Sequence, residues 1–184
     1  MLKQTLGVLL QSSRLKRLVV VSADYGIKKI IDDARIAFIL ESSEQGVNSA
    51  VSLGDRYSQK EGADASIVIP IDLPLLRPDD VDEVIDLGGR MTIGMVMCPS
   101  LRRDGTNALL RKPPLAMPTR YDNNSYTEHL IVAQSLGIES RIHVSQGFMQ
   151  DLDTPEDLMA LVGINAKPNP IVSFLKPKVK LVRE

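Results

Sequence analysis

Two carboxylate-bearing stretches of this 184-residue sequence have the form of a reaction centre. In the first, Ile67-Val68-Ile69-Pro70-Ile71 leads to Asp72, and Leu73-Pro74-Leu75-Leu76 turns the chain away. An apolar run interrupted by proline reads as a parallel strand buried on both faces. Ligands of open α/β sheets sit beyond the carboxyl ends of such strands. Asp72 is therefore read either as a site carboxylate or as the cap of the turn it enters. The second stretch is Asp151-Leu152-Asp153-Thr154-Pro155-Glu156-Asp157. Asp153, beside Thr-Pro, has the position of a helix-start residue, and Asp151 is the better ligand. Acids arriving from two strand ends hold Mg2+ against a nucleoside triphosphate, because the ion takes one or two carboxylates, several waters and phosphate oxygens. Such an ion offsets charge developing in phosphoryl or nucleotidyl transfer. Spacing alone does not bring Asp72 and Asp151 together; their meeting is an expectation.

Polar segments between these acids could hold an anion. Arg102-Arg103-Asp104-Gly105-Thr106-Asn107 offers two guanidinium groups, a hydroxyl, and a glycine that lets backbone N–H groups turn toward a ligand. A surface hairpin loop has the same composition, and composition leans that way. In Asp122-Asn123-Asn124-Ser125-Tyr126, Ser125 reads first as a helix N-cap and second as a ligand for phosphate or carboxylate at that N-terminus. His129 follows on the same helical face, where a lone histidine is read as packed structure; His143, within a strand, gets only a structural reading. The Asn48 amide, in Gly46-Val47-Asn48, either meets a nucleobase edge or marks a loop-to-helix turn.

Composition narrows the partners. Lys+Arg number 22 and Asp+Glu 23, which gives no reason to expect nucleic acid or a membrane surface. A single cysteine, Cys98, cannot form an internal disulfide and fits a reducing cytoplasm. No apolar run approaches the roughly 20 residues of a membrane span, and there is no repeat, signal peptide or zinc-type cysteine pattern.

The elements that must position these residues follow from periodicity and punctuation. Leu2, Leu6, Leu9 and Leu10 share a helical face, so a helix is expected from Met1 to about Ser13. Strands are expected at 18–21, 36–40, 67–70, 93–97, 107–110 and 141–144. Short helices are expected over Ile27–Ile31 and from Val47 to about Leu53. Pro78-Asp79-Asp80 opens a further helix, with Pro in its first turn and acids at its positive end. Ser125 to Leu136 and Thr154 to Gly163 complete the helices, and Pro113, Pro114 and Pro118 exclude one between 113 and 118. Strands alternating with helices indicate βαβ units and a mainly parallel sheet. Residues 164–184, rich in Pro and Lys, read as an extended basic tail with one strand around Val172–Leu175. The tail is solvated or, alternatively, contacts a second subunit, so a homodimer is one expected assembly.

Taken together, Val19–Asp24 (VVVSAD), Gln45–Val51 (QGVNSAV), Ile71–Leu76 (IDLPLL), Asp104–Leu110 (DGTNALL), Tyr121–His129 (YDNNSYTEH) and Asp151–Leu158 (DLDTPEDL) resemble, in order, the 2-phospho-L-lactate guanylyltransferases and the related phosphoenolpyruvate guanylyltransferases of coenzyme F420 biosynthesis. The resemblance spans residues 1–163. It implies a nucleotidyltransferase of the glycosyltransferase-A-like α/β fold, a three-layer Rossmann-like arrangement on a mostly parallel sheet. It also implies attack by a phosphorylated three-carbon acid on the α-phosphate of GTP, with release of pyrophosphate. By motif, Asp72 and Asp151, joined by Asp153, would hold Mg2+. Thr106, Ser125 and the backbone at Asp122 would hold the acid, with Gly105 and Asn107 beside them. Asn48, Gly46 and the Ser22–Ala23 backbone would lie near guanine.

Two departures accompany the resemblance. Asp122 stands where the family usually has glycine, and its carboxylate would repel an anionic substrate unless turned away or paired. The family pattern also begins one strand and one loop earlier, the loop carrying a proline, lysines and an arginine that grips the triphosphate. The expectation is a chain cut short by a late-placed start codon or, alternatively, a natural short form, and a sheet built from this chain alone would lack a central strand. The competing expectations are a nucleotidyltransferase for another acceptor, a molybdopterin or sugar phosphate, and an inactive homologue kept as a binding or regulatory protein.

Overall fold

The structure is a computed structural model and describes residues 1–31, 33–163 and 173. Apart from residue 173, the expected basic tail of 164–184 and its strand lie outside the described residues.

Helix α1 (Leu2–Leu9) lies across the Asp72 turn, with the Thr5 hydroxyl donating to the Ile71 carbonyl at 3.0 Å and the Gln4 amide to the Pro74 carbonyl at 3.3 Å. Strand β1 (Leu18–Ser22) is followed by α2 (Tyr25–Lys28), which starts two residues earlier than apolar spacing predicts because the Asp24 carboxylate caps it, accepting the Gly26 N–H at 2.7 Å. Strand β2 (Ile36–Leu40) pairs in parallel with β1. Helix α3 (Val47–Lys60) opens on Gly46 at φ 86°, a conformation suited to glycine. It runs well past Leu53, since Asp55 on its inner face is held by an arginine that periodicity does not see. Strand β3 (Ser66–Val68) ends short of Pro70, which has no N–H to give to a ladder.

Helix α4 (Pro78–Gly89) begins as its sequence dictates, and the Asp80 carboxylate accepts the Arg77 N–H at 2.9 Å. Strand β4 (Gly94–Pro99) runs two residues past its expected end at 97, and β5 (Thr106–Lys112) starts one residue before and ends two residues beyond the expected 107–110, leaving a loop of 100–105 between them. Helix α5 (Ser125–Ser135) is preceded by Asn124 in the left-handed conformation, so Ser125 is its first helical residue and not its cap. Strand β6 (Glu139–Ile142) lies two residues earlier than expected. The short α6 (Gln146–Met149), unforeseen from sequence, is capped by the Ser145 hydroxyl; α7 (Pro155–Gly163) closes the described fold.

The strands form a parallel pair, β1-β2, and a four-stranded sheet in the order β3-β5-β4-β6. In the larger sheet β5 alone runs against its neighbours, so the sheet is mostly parallel in direction. No ladder among the described residues joins the two sheets; α3 packs on both β1 and β3. None of the described helices is long and apolar enough to cross a membrane.

Core side chains divide between the two faces of the four-stranded sheet. Toward α4 and α6 lie Val81, Val84, Val96, Cys98, Ala108, Leu110 and Phe148; toward α5 lie Met95, Met97, Leu109, Met117 and Ala133. Each large apolar side chain so buried contributes on the order of 1.5–3 kcal/mol. A Cβ on Gly88 would come within 2.4 Å of the Leu110 side chain, so a side chain there would hold α4 off the sheet. The alternation is broken once. Cys98 pairs with Ala108 and Pro99 with Thr106, leaving Asn107 as an unpaired extra residue, a β-bulge. Strict alternation would send Thr106 to the same face as Ala108 and Leu110. The bulge instead turns Thr106 toward Met97 and α5, and Asn107 toward Phe148 and α6.

Candidate active site

Thr106 and Asn107 form the floor of the candidate site, each facing a different group. The Thr106 hydroxyl, 4% exposed, lies 3.0 Å from Nδ1 of His129, which is itself fully buried on α5. Ser125, one turn earlier on that helix, is also buried. The preceding segment is held from both sides: the Arg120 N–H donates to His129 Nε2 at 2.8 Å, and the Tyr121 N–H to the Asn48 side-chain oxygen at 2.9 Å. Burial and the nearby positive charge of Arg111 press the His129 pKa down to about 4, with Arg120 adding to this and a hydrogen bond with the Ser125 carbonyl opposing it. The ring is therefore neutral at ordinary pH.

On the other face, the Asn107 amide nitrogen donates to the Phe148 carbonyl at 2.7 Å and to the Asp151 carboxylate at 3.0 Å. Phe148 is sunk in the core, so α6 delivers Asp151 to a fixed place, 7% exposed. Burial raises the Asp151 pKa; the Asn107 hydrogen bond opposes this, and the charges of Asp153 and Asp157 add to it. Asp72 arrives separately, on the turn after β3, held by the buried Leu73 and Leu76. Burial pushes its pKa up, its own backbone N–H pulls it down, and the negative charges of Asp153 and Asp151 push it further. The sequence separates Asp72 and Asp151 by nearly eighty residues; in the fold the Asp151 charge reaches Asp72. The Asp72 Oδ1 atom is buried and has no hydrogen-bond partner among the described residues. Among the described residues no three His, Cys, Asp or Glu side chains gather as a metal cluster, so Asp72, Asp151 and Asp153 do not form a three-donor set. Asp153 instead gives its N–H to Asp157, which, with Thr154, organises the start of α7.

Several side chains that the sequence offered to ligands are engaged by the protein. The Gly105 N–H donates to the Ser100 hydroxyl at 3.0 Å, and the Gly105 carbonyl accepts the Ser100 N–H, so the loop closes on itself and that N–H is not turned outward. Arg102 pairs with Asp157 at 3.0 Å and reaches Asp104 at 3.6 Å. Asn48 does not present a free amide to a base: its oxygen accepts the Tyr121 N–H and its nitrogen donates to Asp122 at 3.3 Å. The same contact turns the Asp122 carboxylate toward Asn48. The Asn107 amide nitrogen serves Asp151, leaving its oxygen as the group available to a ligand. Ser22 closes β1, its carbonyl accepting the Glu41 N–H and its hydroxyl the Asp24 N–H; Ala23 follows it at the carboxyl end of that strand, and Gly46 supplies the left-handed turn into α3.

Two groups escaped the sequence reading. His129, which the sequence presents as packing, lies against the Thr106 hydroxyl, and its place four residues after Ser125 is the signal. Arg111 and Asp55, 1% and 3% exposed, form an ion pair of 2.7 Å joining β5 to α3, with the Ser66 hydroxyl on the same carboxylate. An arginine inside an apolar strand, TNALLRK, was its only trace.

The profile of one family, described as "Guanylyl transferase CofC like", matches residues 1–177. A phosphoenolpyruvate guanylyltransferase of Rubrobacter xylanophilus is 36% identical over 154 residues, covering 83% of this chain and 73% of that protein. A 2-phospho-L-lactate guanylyltransferase of Methanobrevibacter smithii is 26% identical over 168 residues, 90% of this chain and 73% of its own. In three dimensions the chain resembles a putative nucleotide-diphospho-sugar transferase from Desulfovibrio desulfuricans G20, with TM-score 0.77 at 16% identity over 99% of this chain and 81% of that one.

Proposed function

This chain belongs to the CofC-like guanylyl transferase family, and from that premise we propose that it joins the GMP unit of GTP to a phosphorylated three-carbon acid, phosphoenolpyruvate or 2-phospho-L-lactate, in coenzyme F420 biosynthesis. An oxygen of the acid's phosphate attacks the α-phosphorus of GTP, the bond to the β-phosphate oxygen breaks, and pyrophosphate leaves. The attacking group is already an anion, so no general base is needed; positioning and charge neutralisation carry the reaction. The observation that supports this reading is that Asp72 and Asp151, from distant parts of the chain, come near enough for the Asp151 charge to raise the Asp72 pKa, while Asn107, next to Thr106 on β5, donates to Asp151.

The two acids fit a divalent cation. Asp72 Oδ1 is buried without a partner among the described residues, and both pKa values are raised partly by neighbouring negative charge, which a cation would relieve. Asp72 and Asp151 would hold Mg2+, which when bound neutralises charge on phosphate oxygens. Thr106 and Ser125, with the backbone at Asp122, bind the acid; Ser22, Ala23 and the Gly46 turn border the guanosine, and Asn48 supports the acid-binding segment from behind. The names of the relatives favour an acid acceptor over the pterin or sugar phosphate considered from sequence.

The test is pyrophosphate release from GTP and Mg2+ with each acid, comparing wild type with Asp72→Asn and Asp151→Asn. Each substitution is expected to lower turnover at least about 100-fold, the scale on which loss of transition-state charge stabilisation is felt. Equal turnover in wild type and Asp72→Asn would remove that carboxylate from the reaction.

A further inference from the structure

We propose that His129 is a positioning residue for the acid-binding hydroxyl: it compels Thr106 to act as a hydrogen-bond donor toward the acid's phosphate or carboxylate. This rests on the reading of Thr106 as an acid ligand and deepens it. The argument begins at the other ring nitrogen. A backbone N–H can only donate, so Nε2 of His129, 2.8 Å from the Arg120 N–H, must present its lone pair. In a neutral imidazole the proton then resides on Nδ1. Nδ1–H faces the Thr106 hydroxyl at 3.0 Å, with the Ser125 carbonyl as a second acceptor for the ring proton. Whichever oxygen takes that proton, Nδ1 cannot accept one, and the Thr106 hydroxyl hydrogen is forced away from the ring.

Among the described residues the other partner of that hydroxyl is the Met97 sulfur at 3.5 Å, a weak acceptor. An anionic oxygen is a far better one, so the hydroxyl is held with its donor unspent. The ring is fixed in its turn. The Tyr121 ring meets it edge-on, with centroids 4.9 Å apart and planes at 73°. The contact between Arg120 and Nε2 also ties the tautomer to the segment that carries position 122. One histidine thus sets both the direction of the Thr106 donor and the path of the backbone facing it, at no cost in charge near an anionic substrate.

The protein contains two histidines, His129 and His143, so the tautomer can be read directly by two-bond 1H–15N correlation on the wild-type protein. The expected result is Nδ1–H at His129; an Nε2–H tautomer overturns the proposal, and this arm does not depend on any variant folding. The kinetic arm measures KM for the acid and KM for GTP separately by pyrophosphate release. His129→Gln, which places its amide at the Nε2 end, is expected to raise the acid KM about 10- to 100-fold, the worth of a hydrogen bond to a charged group, with the GTP KM unchanged. His129→Asn, which can still donate from the Nδ1 position, is expected to stay within a few-fold of wild type. Combining His129→Gln with Thr106→Val should raise the acid KM no further than Thr106→Val alone, since no hydroxyl remains to be directed. An unchanged acid KM in His129→Gln, beside a raised one in Thr106→Val, overturns the role of His129 and leaves the acid site standing. An unchanged acid KM in Thr106→Val instead removes Thr106 from the acid site, and the proposal falls with it.

Discussion

Strands β1 and β4 are alike in sequence and unlike in surroundings. Val19-Val20-Val21 is as apolar as Met95-Val96-Met97, yet every residue of β4 is buried, while β1 beyond Leu18 is only half-buried. Apolar content makes a strand; the number of covering neighbours decides how deep it lies. β4 has a ladder on each side and helices over both faces, whereas β1 has β2 on one edge and α3 against it. The groups proposed for the site divide along the same line. Thr106, Ser125, His129, Asn107 and Asp151 are all tied to the deeply buried sheet, while Ser22 and Ala23 end a half-exposed strand. The proposed acid end of the site is therefore expected to be stiff and the proposed nucleotide end compliant.

The sharpest way to probe this contrast is the Asp55–Arg111 pair, which links α3, the helix beneath the outer strands, to the core strand β5. Removing one partner leaves a buried charge uncompensated, so Asp55→Ala is expected to cost about 3–5 kcal/mol in urea unfolding. Replacing both residues with apolar ones should recover most of that loss. A cost below about 1 kcal/mol would mean that the two regions are not joined there.

Truncations compare the regions directly. Leu109→Ala, at a fully buried position, should cost about 2–5 kcal/mol. Val20→Ala on β1 should cost roughly 1 kcal/mol, because less apolar area leaves water there. Hydrogen exchange should rank the strands in the same order, β1 and β2 amides opening at lower free energy than those of β4 and β5. Equal protection would break the comparison.

A smaller effect should appear with pH. The folded His129 pKa, about 4, lies below its unfolded value near 6.5, so the unfolded chain binds the proton more readily. Stability from this source is complete above about pH 6.5 and is lost as pH falls toward 4, amounting to at most about 3 kcal/mol. The raised pKa values of Asp72 and Asp151 act in the opposite sense, fading as pH rises, so the difference between wild type and His129→Asn isolates the histidine. No change in that difference between pH 7 and 4.5 would contradict a neutral, buried ring.

Much of this architecture was legible from local signals. The Pro-Asp-Asp start of α4, the Thr-Pro start of α7 and the Val and Ile runs of β1 and β2 act over neighbouring residues, so the chain declares them. Features made by distant partners were hidden. Nothing near Asp55 announces Arg111, and nothing in Asn107 tells whether its amide meets a substrate or Asp151. The pairing of β3 with β5 is likewise set by residues far along the chain. Within the proposed site, motif pointed to residue types but not to the division between groups free to meet a ligand and groups that hold others in place. Gly105 and Asn48 show this plainly, since both have the chemistry of a ligand-binding residue and both are occupied by the protein itself.

The bulge in β5 has one more effect. Thr106 and Asn107 adjoin in sequence yet serve opposite ends of the proposed reaction, one the acceptor's cradle and the other the cation's carboxylate. Their Cα atoms are held about 3.8 Å apart by a single peptide unit. The spacing between the strand positions that serve the two ends is thus set by one peptide unit, whatever the looser segments around them do.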